Sequence, residues 1–290
     1  MKDYLIKAYA FNGTVRLYVA STTNLVQKAQ KIHDLWPTSS AALGRVLTAS
    51  IIMGAMYKGD QELTIRVESN GPIQGIVATT NAKGEVRGYV GNPHVFLQYN
   101  TGKLNVSQAI GEGFIHVTKD LKVRDIFTST SPIQTGEIAE DFAYYFTASE
   151  QIPSAVSLGV KVNEDNSIIN AGGFILQRMP GCPEETLDLI EERLSKLPPM
   201  TELLEANKTP EDIVRLITKD DHQLLQVLNL NYACDCNKEK FERGLIALGK
   251  DQLTTLLNED QSIDTVCHFC QTTYHFDDHA LLALIDETNH

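Results

Sequence analysis

The chain has 290 residues, of which 42% are hydrophobic and 21% charged, and its formal net charge is −12. This length predicts two domains, and the apolar fraction is sufficient for a sizeable core. The composition excludes a collagen-like protein, a wholly disordered chain and a small disulfide framework. The negative charge argues against a general nucleic-acid binder, which needs clustered positive charge.

The first part of the chain predicts an α+β domain with a largely antiparallel sheet. Asn12-Gly13 lies between two alternating runs and predicts a hairpin over residues 3–20. Two helices are expected next, at 22–35 and 38–57, and Pro37 can open the second of them. Strands are then expected within 62–98 and at 113–119, 154–162 and 167–178, with a helix at 136–150.

The run of residues 41–56 is almost entirely apolar, but Arg45 interrupts it. It is also shorter than the ~20 residues that a membrane-spanning helix needs. We therefore expect a buried helix, and its many alanines and glycines suit close packing. No interaction with a membrane is predicted.

Charge and cysteine content both change in the rear of the chain. Residues 1–180 carry 16 Lys and Arg against 15 Asp and Glu, whereas residues 181–290 carry 9 against 22. All five cysteines lie from Cys182 onward. The opening residues do not resemble a signal peptide, so a cytoplasmic protein is expected. In that reducing compartment, clustered cysteines indicate metal or redox chemistry rather than structural disulfides.

Helical patterns follow residue 180 and predict helices at 184–196, 200–206 and 210–218. Thr209-Pro210-Glu211-Asp212 has the capping residue, proline and acids that are typical of a helix start. The apolar residues within 213–228 need a surface to cover them. We interpret residues 181–231 as a helical linker that docks on another part of the molecule.

Four cysteines form the pattern C-x-C, a gap of 30 residues, and C-x-x-C, at Cys234, Cys236, Cys267 and Cys270. Four thiolates suit a tetrahedral zinc ion, and each short motif can present two sulfurs on one side of the chain. The gap contains two short helical patterns and is long enough to let the pairs meet. The sequence therefore predicts one zinc ion bound by these four residues.

The segment 232–290 has only 59 residues and an acidic surface. A domain of this size is marginal without a metal or disulfides, and structural zinc can supply about 10–16 kcal/mol. Zinc-bound thiolates also react with oxidants. If each short motif closed a disulfide, all four ligands would be lost and neither bond would link the two halves of the site. A redox switch is therefore a hypothesis that spacing and energetics support.

The two cysteine motifs and their flanking residues, Cys-Asp-Cys-Asn-Lys-Glu-Lys-Phe-Glu-Arg and Cys-His-Phe-Cys-Gln-Thr-Thr-Tyr-His-Phe, resemble the zinc module of the bacterial heat-shock protein 33 family. The resemblance extends over essentially the whole chain. It implies a dimeric, cytosolic chaperone that is inactive while its four cysteines hold zinc. It further implies that oxidation forms the disulfides Cys234–Cys236 and Cys267–Cys270, expels zinc, loosens the linker and lets the protein hold unfolding clients without ATP.

The resemblance also divides the chain into an α+β core and dimerisation domain at 1–180, a linker at 181–231 and a zinc-binding redox switch at 232–290. Unfolded or oxidatively damaged proteins are the expected partners, and the client-binding surface is unassigned. No catalytic motif is found, so an enzyme is not expected. Two alternatives stay open: a zinc-knuckle nucleic-acid or translation factor, against which the acidic charge argues, and a thiol oxidoreductase, which needs an exposed C-x-x-C near a βαβ unit.

Several other residues have plainer interpretations. Cys182 is read as an incidental linker cysteine rather than a fifth redox centre. His268, His275 and His279 lie near the motif but are expected at the surface or behind the ligands. Gly172-Gly173 within a strand pattern indicates a bulge or close packing, not a phosphate loop.

Overall fold

The structure is a computed structural model that describes residues 2–123 and 125–288. The chain divides into two compact units, Met1–Ala233 and Cys234–His290. The strands of the first unit are β1 Tyr4–Ala10, β2 Val15–Ser21, β3 Glu62–Ser69, β4 Ile76–Asn81, β5 Glu85–Val90, β6 Gly113–Asp120, β7 Ile126–Pro132, β8 Ser154–Val162, β9 Ile168–Arg178, β10 His222–Asn229 and β11 Asn231–Tyr232. Its helices are α1 Thr23–His33, α2 Pro37–Gly54, α3 Val106–Ile110, α4 Ala139–Ala148, α5 Glu184–Ser195, α6 Met200–Glu205 and α7 Pro210–Thr218.

Two sheets build the first unit, which confirms the predicted α+β class. One sheet has five strands in the order β10-β1-β2-β9-β8, and the other has six in the order β11-β5-β4-β3-β6-β7. Neighbouring strands are antiparallel except for the short pair β11 and β5. The predicted hairpin is confirmed: Ala10 pairs with Val15, and the turn residues Phe11, Asn12 and Gly13 all have positive φ angles.

Helix α2 lies between the two sheets and contacts β8 and β9 of one and β4 and β5 of the other. It begins at Pro37, as predicted, and every residue from Thr38 to Gly54 is buried except Arg45. Enclosure on all sides explains why the run is apolar around the whole helix. A Cβ at Gly44 would lie 2.7 Å from Val26 Cγ1, so the small residues allow close approach. Within 2–123 and 125–288, no helix is long and apolar enough to cross a bilayer.

Arg45 is the charged residue of this enclosed helix, and Glu137 pairs with it. Arg45 Nη1 lies 2.8 Å from Glu137 Oε2 and also donates to the Glu137 carbonyl oxygen. The two side chains are only 11% and 21% exposed. Burial opposes ionisation of Glu137, but the hydrogen bond and positive charge of Arg45 outweigh it and hold the pKa of Glu137 below its ordinary value.

Replacing Glu137 by glutamine should lower the free energy of unfolding at pH 7 by roughly 2–4 kcal/mol, because a buried guanidinium loses its counter-charge. A carboxylate with a depressed pKa stabilises the fold above its ordinary value of 4.5, and that contribution disappears as the pH falls through the folded-state pKa. Urea titrations of wild type and E137Q should therefore converge in acid. The control is E68Q, which removes an exposed carboxylate 3.9 Å from Arg66. A difference independent of pH would contradict the assignment.

Helices α5, α6 and α7 match the three predicted between 184 and 218, and they cover one face of the five-stranded sheet. Ile190, Met200 and Ile213 from these helices are buried in one apolar cluster with residues of β1, β2 and β9. Tyr4 on β1 also donates to Glu211 at the start of α7, over 2.6 Å. The sheet is thus covered on both faces, because α2 contacts β8 and β9 from within the fold.

The prediction that the helical segment continues to residue 231 is wrong for its last part. Lys219 and Asp220 have positive φ angles that end α7, and residues 222–229 form strand β10. This strand pairs antiparallel with β1, from Tyr4 opposite Asn229 to Ala10 opposite His222. The open edge of β1 supplies backbone partners along this run, whereas a free helix of eight residues would leave about half of its own backbone groups unpaired.

Gly172 and Gly173 lie in β9, where the pairing with β2 continues without a shift. A Cβ at Gly173 would lie 2.7 Å from Leu158 Cδ2. Of the two readings left by the sequence, close packing is therefore the correct one, and there is no bulge at this position.

Candidate metal centre

The second unit consists of α8 Lys238–Ile246, α9 Lys250–Asp260, β12 Ile263–Val266, β13 Thr273–Phe276 and α10 Asp278–Glu287. Its apolar core is small and contains Leu245, Leu253, Phe276, Leu281, Leu284 and Ile285. The two helices predicted between the cysteine motifs are confirmed as α8 and α9. Because this core is small, it gives the second unit little stabilisation by itself. The second unit therefore needs a further source of stability.

Two short segments present the four cysteines. Cys234 and Cys236 lie in extended chain before α8, whose first turn is capped by the Asn237 side chain accepting from the Lys240 amide. Cys267 and Cys270 lie in the turn between β12 and β13. The turn is closed by hydrogen bonds from the Cys267 amide to the Thr272 carbonyl and from the Gln271 amide to the Cys267 carbonyl. Each motif therefore presents its two sulfurs on one side of the chain, as its spacing predicts.

All four sulfurs lie within 4.8 Å of one another. Cys234 Sγ is 3.7 Å from Cys267 Sγ, and Cys236 Sγ is 3.3 Å from Cys270 Sγ. A tetrahedral zinc ion with four bonds of about 2.3 Å would place its sulfurs about 3.8 Å apart. All four cysteines are free thiols, and the cluster has the size and donor set to hold a metal ion.

Ionisation of all four thiols together is unfavourable without a counter-charge. Burial and neighbouring sulfurs raise the pKa of Cys234 to about 12, and burial also raises the pKa of Cys236. Burial opposes ionisation of Cys270 as well, but hydrogen bonds with Thr272 and with the sulfurs of Cys236 and Cys267 outweigh it and lower the pKa of that thiol to about 6. Several thiolates can share this space only beside a cation, which a bound metal would provide.

The remaining candidates do not join this cluster. His268, His275 and His279 are exposed, and His275 Nδ1 is 2.7 Å from Asp264 Oδ1. Cys182 is buried in the apolar cluster beneath α5–α7 in the first unit. The turn that carries Cys267 joins antiparallel strands, unlike the βαβ setting that the oxidoreductase alternative requires.

Sequence reasoning missed two hydroxyl groups at the sulfurs. Tyr274 Oη donates to Cys236 Sγ over 3.1 Å, and Thr272 Oγ1 lies 3.2 Å from Cys270 Sγ. Donating this bond makes ionisation of Tyr274 harder and raises the pKa of its phenol to about 12. Tyr274 follows Cys270 by four positions, but only the β12–β13 pairing places it beside the other motif.

The chain that leads to Cys234 is firmly held in the first unit. The amides of Leu230, Asn231 and Ala233 donate to the carbonyls of Asp3, Gly84 and Val86 respectively. The Tyr232 side chain is buried, and its hydroxyl donates to the Gly88 carbonyl over 2.9 Å. Lys28 Nζ donates to the Tyr232 carbonyl. Residues 230–233 therefore fix the end of this segment to the first unit. We call them the Tyr232 anchor.

Comparison with known proteins identifies the family of this chain. The model of the family described as Hsp33 protein matches residues 3–277 of this chain. The chain belongs to the Hsp33 family. A 33 kDa chaperonin of Bacillus licheniformis is 48% identical over 287 residues, covering 98% of this chain and 99% of the relative. A 33 kDa chaperonin of Bacillus cereus strain AH187 is 51% identical over 289 residues, covering 99% of both.

A solved structure agrees with this Hsp33 assignment. The crystal structure of the 33 kDa chaperonin from Thermotoga maritima, a heat shock protein 33 homologue, matches with a TM-score of 0.93 at 34% identity. The match covers 100% of this chain and 99% of that one. The resemblance stated from the cysteine motifs is thus confirmed, and Hsp33 membership supports a chaperone function for this protein.

Proposed function

We propose that this Hsp33-family protein is a redox-regulated holdase that works without ATP in the cytoplasm. In the reduced state one zinc ion is bound by Cys234, Cys236, Cys267 and Cys270, and the protein is inactive. The observation that carries the proposal is the set of four free thiols within 4.8 Å, beside an apolar core too small to be stable alone. Zinc, when bound, would offset half of the negative charge of four thiolates and tie the two motifs together.

Oxidation forms the disulfides Cys234–Cys236 and Cys267–Cys270 and releases the metal. In the reduced arrangement the short contacts run between the motifs, from Cys234 to Cys267 and from Cys236 to Cys270. Once the unit unfolds, the two motifs move apart. Only the two cysteines within each motif, which are two or three positions apart in the sequence, then stay close to each other. Two short-range disulfides do not replace the lost link between the motifs, so the unit stays unfolded.

We propose three functional parts: a core and dimerisation domain at 1–180, a linker at 181–231 and a zinc-binding switch at 232–290. The sequence contains two apolar runs, residues 41–56 and the apolar residues within 213–228. The second is the better candidate for exposure, because the first lies mostly in α2, which is enclosed between two sheets. Loosening the linker would uncover the apolar residues of β1, β2 and β9. Unfolding or oxidatively damaged proteins would bind there. We propose neither an enzymatic activity nor a nucleic acid or membrane as a partner.

The test follows zinc content, free thiols and suppression of aggregation of a denatured client during one peroxide titration. We expect zinc release, loss of four thiols and gain of activity to proceed together, while the fifth thiol, Cys182, remains. Mass spectrometry should identify the two proposed disulfides. Equal activity of the reduced and oxidised protein would contradict redox control, and a metal-free reduced protein would contradict the zinc assignment.

A further inference from the structure

The hydroxyl of Tyr274 is the feature that the proposed switch leaves unexplained. It lies on β13, on the C-terminal side of the C-x-x-C motif, yet it donates to Cys236 Sγ of the C-x-C motif over 3.1 Å. The phenol ring is held by Phe241 of α8, with ring centroids 4.8 Å apart and an interplanar angle of 33°. The hydroxyl is thus positioned from two sides and joins the two halves of the sulfur cluster.

We infer that Tyr274 is a positioning residue that guards Cys236 against oxidants and so sets how readily the switch responds. The inference rests on the proposed function. A thiolate that accepts a hydrogen bond from a hydroxyl is stabilised, and the lone pair in that bond is less available to attack an electrophile. The sulfur of a disulfide is a much weaker acceptor, so the bond favours the reduced state over the oxidised one.

The chemical step concerned is the reaction of Cys236 with a hydroperoxide. The Cys236 thiolate attacks one peroxide oxygen, an S–O bond forms, the O–O bond breaks, and hydroxide leaves and is protonated to water. The Cys234 thiolate then attacks the sulfenic sulfur, the S–S bond forms, and the second oxygen leaves as hydroxide and becomes water. Two electrons pass from the two sulfurs to one hydrogen peroxide. Tyr274 takes no part in these bonds and acts by holding the sulfur before the first attack.

Substitution of Tyr274 by phenylalanine removes the hydroxyl and keeps the ring that packs on Phe241. We expect the reduced, zinc-loaded Y274F protein to release zinc to a chromogenic chelator faster in peroxide, by about three- to tenfold, which corresponds to the loss of one ordinary hydrogen bond. Trapping of sulfenic acid with dimedone, located by mass spectrometry, should increase at Cys236 more than at Cys267 or Cys270.

The matched control is H275N, in the next residue of the same strand. His275 is exposed and contacts Asp264 rather than a sulfur, so this variant should release zinc at the wild-type rate. An unchanged rate of zinc release in Y274F would overturn the inference. An equal increase of sulfenic acid at all four cysteines would also overturn it, because it would indicate a general loosening of the second unit. Zinc stoichiometry and peroxide response of the wild type, measured first, test the proposed function separately, because they do not depend on Tyr274.

Discussion

Replacing Cys236 by alanine should abolish stoichiometric metal binding and unfold the second unit while the first unit stays folded. With one ligand missing, the domain loses most of the about 10–16 kcal/mol that structural zinc contributes. Its six-residue apolar core cannot compensate. Hydrogen exchange of the full-length protein should show loss of protection across 234–290, and metal analysis should find less than one ion per chain.

The control for this variant is the same substitution at the cysteine outside the cluster. Cys182 is 5% exposed and packs among apolar side chains, so C182A should cost only about 1 kcal/mol and retain the metal. If C236A lost the bound ion but kept wild-type protection in α8 and α10, the second unit would have to be stable by packing alone. That result would remove the basis of the proposed switch.

The second large effect is expected at the Tyr232 anchor. Tyr232→Ala should lower the free energy of unfolding of the first unit by about 3–5 kcal/mol, because it empties a buried aromatic site and leaves the Gly88 carbonyl without its partner. Under the proposed function, the looser anchor should also let the chain before Cys234 detach more readily. Y232A should therefore need less peroxide than wild type to suppress client aggregation.

Two further variants make that result interpretable. Tyr232→Phe keeps the ring but removes the hydroxyl, which bonds both the carbonyl and the amide of Gly88, and should cost about 1–3 kcal/mol, less than Y232A. Tyr144→Ala removes an exposed aromatic on α4 and should be nearly neutral. Denaturant titrations would compare the free energies of unfolding of these variants. Hydrogen exchange of residues 222–233 would compare how readily this segment opens. Equal stability of Y232A and Y144A would show that residues 230–233 are not an anchor.

The sequence predicted most of the first unit because its signals are local. Asn12-Gly13 fixes a hairpin by its own backbone preference, and Pro37 and the apolar run after it define a buried helix. The four cysteines were found from spacing and ligand chemistry alone. In the structure Cys234 and Cys236 lie in an extended segment, Cys267 and Cys270 lie in the turn of the hairpin β12–β13, and all four sulfurs meet within 4.8 Å.

What the sequence did not predict depends on partners far along the chain. Leu224, Leu225 and Leu228 form a run too short to distinguish a helix from a strand, and the choice is made by the free edge of β1. Tyr274 and Tyr232 likewise look like ordinary strand aromatics. Their roles arise from contacts with Cys236 and Gly88, which no local pattern encodes.

The pairing of β10 with β1 has a consequence for the order of assembly. During synthesis β1 can pair with β2 at once, because only a tight turn separates them, but its other edge must wait for residues 222–229. Closing so distant a contact is slow, so β10 is expected to complete the sheet last. β10 is also an edge strand with Leu224 and Val227 exposed, so we expect it to detach at a lower free energy than the central strands of the same sheet. We therefore expect β10 to detach and pair again while the rest of the first unit stays folded.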